Sequence, residues 1–408
     1  MRIAIVGGGA AGCFAAVNIK EMVPEADVTV YEAGKTPLRK VSLTGGGRCN
    51  LTNSFRDVRS FESVYPRGGR LVKRLFNRFS NEDTVKWFND RGVRLITQDD
   101  QRIFPASQDA MEIVNVLENL MKRHGVKVRT SSGVSRIIPL PYGYSLEIRR
   151  PSGISEETAD NVVVTAGGFS GSALKMLDGL QTEIVPPVPS LFSFNIKEVG
   201  SLTGTSVGNV SAGIAGTGFR SEGPLLITDW GMSGPAILKL SSYAARYLAD
   251  NGYAATLALN WTGGSTADSA LSMLSEMASS SPQKQLSSAY PAQLNSRLWS
   301  FLLGRSGADG HRRWAETGSR TLRRIAATLT CDSYPVTGKN RFKGEFVTCG
   351  GVALSCIDPN TLESRAHPGL YFAGEILDID AITGGFNLQA AWTTAFTAAL
   401  AIRANKRM

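Results

Sequence analysis

The apolar and polar positions of this 408-residue chain change period twice along its length. Ile3-Ala4-Ile5-Val6 is an unbroken apolar run, as in a strand buried on both faces. It meets Gly7-Gly8-Gly9-Ala10-Ala11-Gly12. A segment rich in apolar residues follows (Phe14, Ala15, Ala16, Val17, Ile19), and then Val28-Thr29-Val30-Tyr31-Glu32. The pattern predicts strand, turn, helix, strand. Residues 80–92 are expected to be helical, capped by Ser80 or Asn81 and stopped at Gly92. Asp109 to His124 is a second helix, apolar at Met111, Val114, Leu117 and Met121, with His124 placed as a partner of the helix dipole. Val126–Val128, Val134–Ile138 and Tyr144–Ile148 predict strands, the last two joined as a hairpin around Pro141-Tyr142-Gly143. Asn161 to Thr165 is a buried, parallel-type strand that ends in Ala166-Gly167-Gly168.

Pro186, Pro187 and Pro189 mark a boundary, after which the period becomes two. Phe192–Ile196 and Val207–Ile214 predict antiparallel strands, Ala236–Leu248 an apolar helix, and residues 268–330 further helices. The first texture returns at Gly350. A strand through Gly369 to Ala373 ends in Gly374-Glu375, and Gly384-Gly385 precede an alanine-rich terminal helix. The strand–turn–helix–strand pattern makes the expected fold class α/β, and a chain this long exceeds a usual single core, so two or three domains are expected. A discontinuous Rossmann-like domain takes residues 1–189 and 343–408, an inserted antiparallel β domain takes 190–265, and a basic helical subdomain takes 266–342.

The glycines give the first unit its chemistry. Gly7, Gly9 and Gly12 form GxGxxG, for a tight turn, close approach to a pyrophosphate and close helix–strand contact respectively. The first helix, starting at Ala10 and Ala11, offers unpaired N–H groups to a diphosphate. Glu32, closing the second strand, is placed to accept from an adenosine ribose 2′-OH and disfavours a 2′-phosphate there. NAD and FAD both stay open on this segment. Gly45-Gly46-Gly47-Arg48-Cys49-Asn50 makes a poor helix and a poor strand, and is expected as a loop passing close to something flat or charged. Gly374-Glu375 and Gly384-Gly385, with the helix start Phe386-Asn387, form a second corner for a phosphate or a ring. There is no second GxGxxG followed by an acid, so an NADH or NADPH electron donor would bind transiently.

The formal charge is +9 and the pI about 9.4. Between Lys284 and Lys343 stand eleven bases, among them Arg320, Arg323, Arg324 and Arg341, against the three acids Asp309, Glu316 and Asp332. Arg67, Arg70, Arg74 and Arg78 form a second cluster at helical spacing. These are either two solvated helix faces or an electrostatic footprint for nucleic acid. Five cysteines without CxxC or metal-ligand spacing suit a reducing cytoplasm and give no metal site. No run of eighteen apolar residues predicts a membrane span, and a first strand at Arg2 leaves no room for a signal peptide.

The sequence resembles the two-dinucleotide-binding-domain flavoproteins and, within them, the BaiN/RdsA (YhiN-like) family of FAD-dependent oxidoreductases. The resemblance is carried by Gly7 to Gly12 with Glu32, Gly45 to Asn53, Thr165 to Gly168, Thr228 to Pro235, Gly350 to Val352, Thr361 to Ser364, Gly369 to Asp378 and Gly384 to Asn387. It implies FAD, extended across both chain ends, with Glu375 at the ribitol chain and the helix start at Gly384–Gln389 near the flavin pyrimidine oxygen. Lys40, Gly46, Gly47, Arg48, Ala166, Gly167, Gly374, Gly385, Phe386 and Asn387 join Gly7, Gly9, Ala10, Ala11, Gly12 and Glu32 as expected cofactor contacts. Thr228-Asp229 replaces the family's Thr-His, and Cys356 stands where a Glu is expected.

Cys49, flanked by Arg48 and Asn50, is the candidate proton donor or substrate contact, its acidity raised by the adjacent cation; the alternative is a small buried thiol packed beside the flavin. The family implies reduction of a carbon–carbon double bond. The substrate is either uridine in ribosomal RNA, with Arg320, Arg323, Arg324, Arg70 and Arg74 as RNA contacts, or a small enone of bile-acid or steroid type. A disulfide reductase is disfavoured because the second cysteine of CxxxxC is Ser54.

Overall fold

The computed structural model describes residues 1–168, 175–340 and 347–405. They divide into two compact units, Met1–Val188 with Gly344–Met408, and Pro189–Lys343. Residues 190–265 and 266–342, expected as a β domain and a helical subdomain, lie within one unit. The boundary expected at 342/343, with Arg341 and Lys343, lies outside the described residues.

The first unit begins with β1 (Arg2–Val6), α1 (Ala10–Met22) and β2 (Asp27–Tyr31). Helix α2 (Arg39–Gly47) turns non-helical from Thr44, where Gly45 and Gly46 are left-handed. Next come β3 (Thr52–Asn53), α3 (Phe61–Val64), α4 (Gly69–Leu75) and α5 (Asn81–Asn89). Ser80 and Asp83 close a reciprocal capping box on α5, each satisfying the other's backbone N–H. Then follow β4 (Leu95–Thr97), β5 (Arg102–Pro105), α6 (Ala110–Arg123) and β6 (Lys127–Arg129). The predicted hairpin is β7 (Gly133–Pro139) and β8 (Tyr144–Arg150). It gains a third strand, β9 (Gly153–Ala159), whose polar sequence carried no apolar signal. Strands β10 (Asn161–Val164) and β11 (Ile184–Ser190) complete this part.

The second unit is an antiparallel sheet with helices. Its elements are β12 (Phe194–Asn195), β13 (Ser206–Ile214), β14 (Arg220–Thr228), β15 (Gly231–Ser233), α7 (Pro235–Tyr243), α8 (Ala245–Asp250) and β16 (Ala255–Asn260). Helices α9 (Ala267–Ser280), α10 (Ser296–Ser306) and α11 (Ser319–Thr330) follow, then β17 (Asp332–Val336) and β18 (Gly338–Lys339). The sheet order is β17-β16-β13-β14-β15-β12-β18. The helix predicted over 236–248 is interrupted at Ala244. Buried Asp332 fixes the return from helices to sheet, accepting from Trp261 Nε1 (3.0 Å), Arg305 Nε (2.8 Å) and the Tyr334 hydroxyl.

The chain then re-enters the first unit with β19 (Val347–Val352), β20 (Leu370–Phe372) and α12 (Phe386–Asn405). The central sheet runs β20-β10-β1-β2-β6, every pairing parallel. The order in which strands are added to the sheet reverses at β1, so the turn at Gly7 opens at the switch point where dinucleotides lie in such sheets. Helix α12 is apolar all round and therefore buried. It packs on α1 through small residues, and Trp392 joins Phe14, Phe79, Trp87 and Phe88 in one ring cluster. Each such ring, buried, contributes about 1.5–3 kcal/mol. That is what ties the last helix to the first.

Candidate functional site

The turn after β1 has the shape its glycines require. Gly7 is left-handed (φ +108°), and a Cβ there would meet Thr165 O at 2.5 Å. A Cβ on Gly12 would lie 1.9 Å from Gly7 O, so the close crossing of α1 over the turn excludes any side chain. At Gly9 a Cβ would meet nothing within 4 Å: this residue edges open space. Ala10 starts α1 and Ala11 is buried beneath it. The Glu32 carboxylate is held by two backbone donors, Gly8 N–H to Oε2 at 2.8 Å and Gly34 N–H to Oε1 at 2.6 Å. Each oxygen keeps a lone pair for an outside donor.

Beyond Glu32 lies an open pocket of about 760 Å³, lined by Ala33, Lys35, Thr36, Arg39, Ser131 and Arg149 among others. Sequence reasoning missed these residues. For Ala33 and Ser131, only their position after the ends of two parallel strands could have pointed to them.

The second corner is assembled from distant segments. Glu375 accepts from Thr348 N–H (2.9 Å), Gly168 N–H (3.1 Å) and Lys40 Nζ (3.2 Å). Ala166 and Gly167 lie beside it at the end of β10, Gly167 left-handed at φ +75°. Gly374 donates to Thr394 Oγ1 at 2.9 Å, and a Cβ on it would press to 2.7 Å from the Ala11 methyl. The two dinucleotide corners thus touch through Gly374 and Ala11.

The start of α12 is fastened to the 50–65 segment. Asn50 accepts from Gly385 N–H at 3.0 Å and donates to Thr52 O at 3.2 Å, its amide orientation assigned from these partners. Asn53 Nδ2 donates to Gly384 O (3.0 Å), Trp392 Nε1 to Leu51 O (3.0 Å), and the Tyr65 hydroxyl to Phe386 O (2.8 Å). Thr52 Oγ1 lies 2.6 Å from Gln389 Oε1. A Cβ on left-handed Gly385 would fall 2.3 Å from Thr52 O. Asn387 closes its own loop, accepting from Ala381 N–H (2.9 Å) and donating to Ala381 O (3.0 Å). Past the Gly385 N–H, which is spent on Asn50, the chain starts α12 at Phe386 and so forms a helix N-terminus, the part that attracts negative charge.

At Cys49 the surroundings are those of the small packed thiol, the second of the two expectations, and not those of an acidified one. Its side chain is fully buried in the core, and burial pushes the thiol up to about 12. Arg48 does not acidify it. That guanidinium donates Nε–H to Gly45 O (3.0 Å) and lies 4.6 Å over the Phe104 ring. Cys49 is thus a packed, neutral thiol, and buried Asn50 is a brace for Gly385. Gly46 and Gly47, both left-handed, border open space as a close-approach loop requires.

Arg320, Arg323 and Arg324 are exposed on α11, with Arg324 Nη2 3.3 Å from Gly307 O. Arg70 and Arg74 are exposed on α4, Arg74 donating to Asn360 Oδ1 at 2.6 Å. Arg67 leaves the expected cluster: it precedes α4 and forms a two-point ion pair with fully buried Asp380. Of the bases counted after Lys284, Arg305 is spent on Glu198 and Asp332 and Arg297 on backbone carbonyls. Asp229 is exposed in the turn between β14 and β15, and Cys356 Sγ accepts from Glu183 N–H at 3.3 Å. Among the described residues no helix is long and apolar enough to cross a membrane.

Comparison with known proteins places these features. The family model described as HI0933-like protein Rossmann domain matches residues 1–401. The ribosomal RNA dihydrouridine synthase of Haemophilus influenzae is 26% identical over 409 residues, 98% of this chain and 97% of that protein. The 3-dehydro-bile acid delta(4,6)-reductase of Clostridium scindens is 27% identical over 97% of this chain and 98% of its own length. Among solved structures, the 3-ketosteroid delta1-dehydrogenase of Sterolibacterium denitrificans shares the fold at a TM-score of 0.51 and 12% identity, covering 99% of both chains.

Proposed function

The chain belongs to the HI0933-like Rossmann family, whose members are FAD-dependent oxidoreductases, and from that premise we propose that it reduces a carbon–carbon double bond, with uridine in ribosomal RNA as substrate. The observation that carries the cofactor is the meeting of the two glycine corners at Gly374 and Ala11, with Gly9, Gly46 and Gly47 bordering open space. An extended dinucleotide fits that arrangement. Gly7 to Ala11 would hold the diphosphate, Glu32 the adenosine ribose, and the pocket at Ala33 and Ser131 the adenine. Glu375, already oriented by Gly168 and Thr348, would hold the ribityl chain.

Bound FAD supplies hydride transfer. The N-terminus of α12 would supply a positive field to negative charge on the flavin, and the Asn50 and Asn53 side chains keep that N-terminus in place. Cys49 takes no part in proton transfer, because its thiol is fully buried and out of a substrate's reach. NADH or NADPH is the proposed donor, binding transiently, and five free cysteines fit a cytoplasmic setting.

RNA is favoured over a small enone by the exposed cations of α4 and α11. The bile-acid reductase, equally similar in sequence, motivates the second reading. The test is turnover. Protein reduced with NADH or NADPH is mixed with ribosomal RNA lacking the modification or with a steroid enone. Dihydrouridine found by mass spectrometry supports the RNA reading. Reduction of the enone alone, with RNA untouched, transfers the function to small molecules.

A further inference from the structure

Three phenyl rings of the first unit stand half-buried and in contact. Their centroids are 5.7 Å apart for Phe55 and Phe61, 4.9 Å for Phe55 and Phe76, and 4.7 Å for Phe61 and Phe76. From Phe55 the series continues inward to Phe386, the first residue of α12, at 5.2 Å. Phenylalanines normally go inside, so three touching and partly open to solvent form an apolar patch that needs a reason. Phe55 moreover holds a left-handed backbone (φ 59°), a strained state for a bulky residue. Asn53 imposes it. Its Oδ1 accepts from Phe55 N–H at 2.9 Å while its Nδ2 donates to Gly384 O at 3.0 Å. One amide therefore aims Phe55 and holds the glycine corner.

Several cations stand near Phe76 in the chain. Helix α4 buries Leu71, Val72 and Leu75 and exposes Arg70, Lys73 and Arg74, with Arg78 just beyond. Arg70, Lys73 and Phe76 are three residues apart and share one face. Glu62 faces Arg70 and Lys73, and the surface keeps an excess of cations. A steroid or bile acid, with one carboxylate at most, needs few of these charges, whereas rings beside several cations are what single-stranded nucleic acid binds: bases stack on the rings and phosphates meet the cations.

We infer that this face, Phe55, Phe61 and Phe76 with Arg70, Lys73 and Arg78, receives a single-stranded segment of RNA. The inference rests on the RNA reading above and adds where the strand lands, beside the start of α12. The test measures binding of a labelled, uridine-rich single-stranded RNA oligonucleotide to FAD-loaded protein over a range of salt concentrations. In the combined variant Arg70→Gln, Lys73→Gln, Arg78→Gln, affinity falls about tenfold or more and the salt slope shrinks by about two. Absorbance of the bound flavin and Tm stay as in the parent, since only exposed side chains change. Phe55→Leu lowers affinity about fivefold or more without moving the slope. Unchanged affinity and slope in the triple variant overturn the docking face, whatever Phe55→Leu does to folding. Loss confined to Arg320→Gln, Arg323→Gln, Arg324→Gln also overturns it but leaves the RNA reading standing. Parent protein with no salt-sensitive RNA affinity sinks both.

Discussion

Asn50 and Gly385 are 335 positions apart, yet the amide of the first accepts the backbone N–H of the second at 3.0 Å. Through this contact the loop after α2 sets the position of the α12 N-terminus. Asn50→Ala strips a buried N–H of its acceptor, which costs about 1–3 kcal/mol. The expected outcome is a lower Tm together with weaker flavin retention, read by thermal melting and by flavin absorbance after gel filtration. Retained flavin at parental affinity would show that α12 is placed by other contacts.

The glycines of the first turn separate packing from binding. Gly12→Ala puts a methyl 1.9 Å from Gly7 O and should destabilise the apoprotein by several kcal/mol, about 3 or more. Gly9→Ala meets no protein atom within 4 Å. Its apoprotein should melt like the parent, while its FAD dissociation constant rises. Titration of flavin-stripped protein distinguishes the two, and equal losses of stability would contradict the assignment of Gly9 to the ligand side.

Cys49 gives a pH prediction with a defined sign. Burial raises the folded thiol from 9.0 to about 12, so above pH 9 the unfolded chain loses a proton that the folded one keeps. Stability therefore falls as pH rises from 9 toward 12, by up to about 1.4 kcal/mol per pH unit from this group. Cys49→Ala removes that contribution, and its melting temperature should fall less steeply than the parent's between pH 8 and pH 10. The same variant should keep the parental pH profile of turnover. A lost alkaline limb, or rapid alkylation of Cys49 in the native protein, would restore it as an ionising group.

Arg67 and Asp380 form the buried ion pair that pins the 379–382 loop to the residues before α4. Removing one member of a buried pair costs about 3–5 kcal/mol. Arg67→Ala should thus cost more than the double change Arg67→Met, Asp380→Leu, measured by urea unfolding. Equal costs would mean that solvent reaches Asp380.

Much of the fold was legible because its elements carry strong local signals. The apolar run at Ile3–Val6, the glycine turn, the cap at Ser80, the helix after Asp109 and the buried strand at Asn161 each follow from local chemistry. The polar strand Gly153–Ala159 was not legible, because it is held by pairing with β8 rather than by burial of a face. Nor were the partners of Arg67 and Cys49. A cation at helical spacing is indistinguishable in sequence from one drawn into a buried pair 313 residues away. A thiol beside an arginine looks acidic until the guanidinium is seen turned onto Phe104.

The most direct test is the visible absorption spectrum of the purified protein after incubation with FAD and gel filtration. Both chain ends gripping one flavin requires an equimolar yellow complex that bleaches anaerobically with NADH or NADPH. Protein that emerges colourless at full Tm, with no uptake of FAD, would contradict it.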